Sequence, residues 1–291
     1  MLNQDFLREV NYRLKPRRIT AIAPLANSSS LPDSTEKYIV QTTGGEFFVM
    51  LSSTVSPLMV KRAIERQREA RLHLLEAAAE PIELPFVEGL FSGRSYGVWL
   101  RRQPLSGNRI RLRLEKLLLV PRVYRWLGDV ISQTVTSADS SKLAVNLQKL
   151  QTIPALPTFI KATAGTASQG FLSGKIPAIQ ILQHGDVWLG NILKAPSKCG
   201  FIIIDWAGAK MDGAPFFDLV KFAISSGASK SKLGHEVAVH SRMLGCKVED
   251  APAYVLSGLA ALHTELEYFP EDRFIDLCVK KMKALNTISI S

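Results

Sequence analysis

Cysteine is scarce in this chain. Only Cys199, Cys246 and Cys278 occur in 291 residues, far apart and in no metal-ligand spacing, which argues against a disulfide scaffold and against a structural zinc site. They read as free thiols of a reducing compartment. Long apolar runs are missing too: none approaches the length of a membrane span. Residues Met1–Val10 lack a signal-peptide core, so the expected location is the cytoplasm. Repeats and low-complexity tracts are absent. A hydrophobic content of 46% against 21% charged residues excludes a disordered chain.

The net charge of +10 raises nucleic acid as a partner, but no element interleaves basic and aromatic residues as such binding requires. Nucleic-acid binding is therefore disfavoured. The densest basic stretch, Arg109-Ile110-Arg111-Leu112-Arg113 continuing to Arg122 and Arg125, alternates with Ile and Leu. Its first reading is a solvated face over an apolar floor. Its second is contact with a phosphorylated, acidic or membrane-linked acceptor.

What is present begins with short β-like runs. Arg18–Leu25 reads as a strand, followed by the polar loop Ala26–Ser30. Lys37–Thr42 and Glu46–Leu51 flank Thr43-Gly44-Gly45 as a hairpin. A helical stretch from about Pro57 to Ala79 carries Val60, Ile64, Gln67, Arg71, Leu74 and Ala78 along one line. Pro85–Phe91 and Ser95–Leu100 are further strands. The pattern is helical from Leu114 to Leu150, mixed with loops over 151–178, and helical again after Asp218. A β-rich first part and a helical second part predict an α+β class.

The most informative segment is His184-Gly185-Asp186-Val187-Trp188-Leu189-Gly190-Asn191, followed by the apolar run Phe201–Ile204 that ends in Asp205. It brings two carboxylates and a carboxamide together in a short span. Mg²⁺ takes oxygen ligands from one or two side chains and completes its shell with phosphate and water. Phosphoryl transfer needs that metal, a placed acceptor hydroxyl and a base for its proton. His184, two residues before the acid, suits a loop-organising role through its ring nitrogens.

His-Gly-Asp-x-x-x-x-Asn, then Ile204-Asp205-Trp206, then Gly213-Ala214-Pro215-Phe216-Phe217-Asp218-Leu219 closely resembles the signature of the aminoglycoside phosphotransferase/choline kinase group. The resemblance implies a two-lobed, protein-kinase-like fold. Residues 1–102 would form a small β-rich nucleotide lobe, and residues 103–291 a helical lobe carrying the catalytic loop, metal and acceptor sites. It makes Asp186 the catalytic base, Asn191 and Asp205 the magnesium ligands, and His184 and Asp218 supports of the catalytic loop. It makes ATP and Mg²⁺ the cofactors and a hydroxyl-bearing small molecule the partner, with a sugar or sugar-linked metabolite preferred. Ser28, Ser29, Leu51, Glu69 and Leu100 are assigned to the nucleotide, with the connection Arg101–Gly107 as the hinge against which adenine docks.

The chain departs from that pattern in the first lobe. The third strand contains no lysine to hold the α- and β-phosphates; Leu51, or Met50 after a one-residue shift, occupies its place. Glu69, with Glu65 second, is the glutamate of the following helix, and Lys61 or Arg62 is a substitute cation. Asn27-Ser28-Ser29-Ser30 stands where a glycine-rich phosphate loop is expected. These departures give an alternative function: a catalytically impaired relative that binds nucleotide or a protein partner as a scaffold.

Overall fold

The computed structural model describes residues 4–25, 35–265 and 270–287. Ser28 and Ser29 lie outside them. The β-like runs of the first part form one antiparallel sheet from β1 (Ile19–Leu25), β2 (Glu36–Thr42), β3 (Gly45–Leu51), β4 (Val87–Phe91) and β5 (Arg94–Leu100), in the order β1-β2-β3-β5-β4. The predicted hairpin closes with Thr42 opposite Gly45 and Glu36 opposite Leu51. Side chains alternate across a strand, and here the alternation produces two apolar faces. Val40, Phe47, Val49, Leu51, Tyr96 and Val98 point to one side, where Phe6 and Val10 of α1 (Gln4–Arg13) and the following Leu14 cover them. Ile39, Phe48, Met50 and Trp99 point to the other, into a cleft.

The helix expected over 57–79 is two. α2 (Met59–Leu72) starts where the buried hydroxyls of Ser52 and Ser95 accept the N–H groups of Val60 and Lys61 at 2.9 and 3.0 Å. It ends before Leu74, which turns into the larger core, and α3 (Glu76–Ala79) follows. The side chain of Gln133 holds the break open by accepting the Leu75 N–H at 2.7 Å.

Beyond β5 come β6 (Gln103–Pro104), α4 (Arg109–Thr134), β7 (Thr136–Ser137), α5 (Ser140–Gln151), α6 (Thr158–Leu172), β8 (Ile179–Gln183), β9 (Ile192–Lys194), β10 (Phe201–Ile203), β11 (Lys210–Gly213), α7 (Phe217–Ser226), α8 (Lys230–Leu244), α9 (Ala251–Glu265) and α10 (Glu271–Asn286). The stretch expected to be helical over 114–150 is broken at Val135, where β7 pairs with β8 and Asp139 caps the next helix through Ser141 and Lys142. Two small sheets, β10-β9-β6 and β11-β8-β7, sit among the helices. The result is an α+β protein of kinase-like architecture. One core lies under the first sheet and a larger one within the helices, and the larger one also takes in Leu74, Ala78 and Ile82.

Candidate active site

β8 delivers the chain into a tight loop before β9. At Gly185 the backbone takes a φ of +86°, and a Cβ there would meet the carbonyl oxygen of Gly208 at 2.9 Å. Only glycine satisfies both demands. The loop is braced from beneath by Asp218 at the start of α7. Its carboxylate accepts the backbone N–H groups of His184 at 2.7 Å, Gly185 at 3.0 Å and Val187 at 3.5 Å. Phe216, two residues before it, holds the left-handed conformation at φ +62°. Such a conformation is a true outlier for a bulky side chain, and it turns α7 so that its first carboxylate faces the loop.

His184 is buried edge-on against Trp206, with ring centroids 4.5 Å apart. Its Nδ1 accepts the Asp186 N–H at 3.1 Å, which leaves the proton on Nε2 to donate to the Ile204 carbonyl at 3.0 Å. Burial pushes its pKa down against the pull of Asp218, Asp205 and Asp186. It is a neutral clamp between the loop that carries Asp186 and the end of the β10 run.

Asp186 stands half-exposed at the loop's tip. The Asn191 side-chain amide donates to its Oδ2 at 2.7 Å and to its backbone carbonyl at 2.9 Å. Lys221 of α7 forms an ion pair with Oδ1. Each carboxylate oxygen has two lone pairs, so both retain capacity for a further proton donor. Because Asn191 spends its NH₂ on Asp186, its carbonyl oxygen is left without a partner among the described residues. Asp205 is exposed, in the left-handed conformation at φ +69°, and its carboxylate has no hydrogen bond or ion pair among the described residues. Strained non-glycine backbone of this kind collects at functional sites. Asn191 and Asp205 both line the same cleft.

That cleft, of about 590 Å³, lies between the first sheet and the helical part. Ile39, Phe48, Met50 and Trp99 form its roof, and Leu193, Ile202 and Ile204 its floor. Leu100 lines it. Two other assignments fail on geometry. Leu51 belongs to the face covered by α1, and the β3 residue facing the cleft is Met50. Glu69 is exposed on α2 and is not among the cleft-lining residues; at the helical period the residue of that turn facing the cleft is Gln67. Glu65 pairs with Lys61 at 3.8 Å on the outer side, and neither these two nor Arg62 lines the cleft.

The cleft has its own cations, which the sequence reading missed. Arg101 is paired with Glu46 at 2.7 Å, and Arg102 with both carboxylate oxygens of Glu83. Lys37 on β2, opposite Met50 of β3, lines the cleft with no ion pair or hydrogen bond from its side chain among the described residues. Lys221 was also missed, although its place one helical turn after Asp218 is a readable signal. So was Lys281 of α10. It is fully buried, lies over the Phe217 ring at 3.8 Å and donates to the Phe217 carbonyl at 2.8 Å. Burial, helped by the nearby charge of Lys221, pushes its pKa down to about 7, against Asp218 and Asp186. Trp126 and Trp206 are core, while Trp188 in the loop after β8 is exposed.

A two-lobed kinase-like fold with an acid-bearing loop at the edge of its cleft defines the class of molecule, and comparison with known proteins sharpens it. No protein-family model and no curated protein sequence matches the chain. Solved structures do. A thermostable mutant of the aminoglycoside phosphotransferase APH(4)-Ia, in ternary complex with ADP and hygromycin B, aligns at a TM-score of 0.61 and 14% identity over 99% of each chain. Choline kinase LicA from Streptococcus pneumoniae aligns at 0.59 and 13% identity over 98% of each chain. The complex of LicA with AMP gives 0.54 and 14% over 98% of each. The chain has the fold of the aminoglycoside phosphotransferases and choline kinases over essentially its whole length.

Proposed function

We propose that this protein is an ATP-dependent phosphotransferase that moves the γ-phosphoryl group of ATP to a hydroxyl of a small molecule. One observation carries the reading: Asn191 turns its NH₂ to Asp186 and keeps its carbonyl oxygen unengaged on the cleft that it shares with Asp205. An unengaged carbonyl and an unpaired carboxylate are oxygen donors of the kind Mg²⁺ takes, so the residues fit the metal, and Asn191 and Asp205 would hold it. Bound there with ATP, magnesium supplies neutralisation of phosphate charge.

The chain's own residues supply the rest. The apolar roof and floor suit a purine ring, and Lys37 is the cleft cation free to meet the phosphates. Asp186 receives the proton of the acceptor hydroxyl, and Lys221 holds its carboxylate in place. Asp218 and His184 fix the loop so that this acid is presented in one geometry, which is where positioning contributes to rate. The nucleotides bound to the structural neighbours support the cleft as a nucleotide site. A sugar-linked hydroxyl remains the preferred acceptor.

The second reading, a nucleotide-binding scaffold, rests on Met50 at the cleft-facing position of β3. Thermal shift with ATP, with and without Mg²⁺, tests the site itself, because a ligand of the folded state raises its apparent stability. A magnesium-dependent rise in Tm that Asp205→Asn loses is expected. No shift in the wild type at saturating ATP would contradict the proposal.

A further inference from the structure

Helix α4 carries apolar side chains on two sides, a buried one in its second half and an exposed one in its first. One side, from Leu119 through Val123, Tyr124, Trp126 and Leu127, is packed into the large core. The other is open: Ile110 is 74% exposed, Leu114 57%, Leu117 66% and Leu118 65%. At the helical period these four share one stripe about 12 Å long, pointing away from the protein.

The flanks of the stripe are basic. Arg109 and Arg113 lie along one edge, Arg111 and Arg122 along the other, and Arg125 continues the line, all exposed. The side chains of Arg109, Arg111, Arg113 and Arg125 make no ion pair or hydrogen bond among the described residues, although Glu115 and Asp129 lie close enough to feel the charges of Arg111 and Arg125. The acid within this stretch, Glu115, is turned inward and neutralised by Lys194 at 2.8 Å. Exposed apolar stripes of this size on one helix mark an interaction surface, and a leucine stripe edged by unpaired arginines complements a layer that is apolar within and anionic at its surface. A protein partner would have to match the cations with a row of acids, whereas an anionic bilayer offers both complements at once.

We infer that α4 docks this protein on anionic lipid membrane, with Ile110, Leu114, Leu117 and Leu118 inserted among the headgroups and the arginines on lipid phosphates. The face is tied to the catalytic loop. Glu115 pairs with Lys194, close after Asn191, and Lys116 donates to the Ser226 carbonyl at 3.3 Å, next to Ser225, whose hydroxyl accepts the Leu189 N–H at 3.2 Å. Docking therefore holds the phosphoryl-transfer site near a membrane surface.

Flotation of the full chain with mixed phosphatidylglycerol and phosphatidylcholine vesicles, against phosphatidylcholine alone, tests this at physiological ionic strength. The protein should float with the anionic vesicles only. Arg111→Gln and Arg113→Gln should each lower the partition coefficient about fivefold, and Leu114→Glu with Leu117→Glu should abolish flotation. All four side chains are exposed, so each variant should keep the wild-type melting transition. No flotation of the wild type overturns the inference. Flotation that survives the paired leucine changes overturns it too, assigning the attraction to net charge alone. Sedimentation that shows a dimer dissolved by Leu117→Glu, without vesicle binding, would make the face a contact between copies and also overturn it.

Discussion

Lys37 of β2 stands directly opposite Met50 of β3, and both side chains line the cleft. The cation expected on the third strand is therefore offered one strand over, at the same level of the sheet. Arg101 and Arg102 cannot substitute for it without abandoning Glu46 and Glu83. Charge-assisted hydrogen bonds contribute about 1.5–3 kcal/mol, so Lys37→Met should weaken ATP binding roughly tenfold or more. Lys61→Met and Arg62→Met should leave it unchanged. Titration calorimetry with ATP and Mg²⁺ on the three variants separates them, and an unaffected Lys37→Met would remove this residue from the phosphate site.

Lys221 is paired with the acid assigned as base. A partly exposed ion pair of this kind contributes little to stability, so Lys221→Met should melt within about 1 kcal/mol of the wild type. Under the proposed function its role is to hold Asp186 for proton transfer. The variant should lower kcat about tenfold, a part of the general-base contribution, with KM for ATP unchanged. Equal kcat values would reduce the pair to a surface contact.

Gly185 tests the loop geometry. Alanine at φ +86° incurs the left-handed penalty of about 1–2 kcal/mol and adds the contact with the Gly208 carbonyl. Gly185→Ala should lower Tm measurably and reduce turnover more than Gly227→Ala, whose site at φ +73° is open. Equal turnover in the two variants would show that loop shape does not limit the reaction.

Acid stability follows from His240 on α8. Burial pushes its pKa from an ordinary 6.5 down to about 4, and its Nδ1 has no hydrogen-bond partner. Between those pH values the unfolded chain binds a proton that the folded chain refuses, so stability falls as pH drops through that window. The loss from this group approaches roughly 1.4 kcal/mol per pH unit at its steepest. His240→Leu should flatten the dependence between pH 6.5 and 4. Parallel wild-type and variant curves from urea melts would contradict this.

The second lobe was legible because its chemistry is local. His184, Asp186, Asn191, Asp205 and Asp218 fall within one short stretch, and their spacing alone limits how they meet. The strands of the first sheet were legible from alternation and the Gly44-Gly45 turn. The faces of that sheet were not. Both carry apolar residues, and β3 runs Phe47, Phe48, Val49 and Met50 with its one polar side chain, Glu46, at the strand's start. Only the placement of α1 over Phe47, Val49 and Leu51 decides that Met50 faces the cleft. Glu69 failed because the cleft side of α2 is set by packing against the segment after Asp205, where Arg66 donates to the Ala207 carbonyl. Lys37 and Lys281 come from distant parts of the chain, and no local pattern connects them to the loop.

The most direct test of the central claim is release of phosphate from γ-labelled ATP by the wild type and Asp186→Asn, with ATP binding measured on both. Water is the acceptor in the absence of the natural one. Magnesium-dependent turnover that falls by about 10²–10⁴ in the variant, with nucleotide affinity retained, is the predicted result. Turnover that is equal in both proteins, or wild-type protein that binds ATP and never cleaves it with any hydroxyl acceptor supplied, would contradict the assignment of Asp186 and of the reaction.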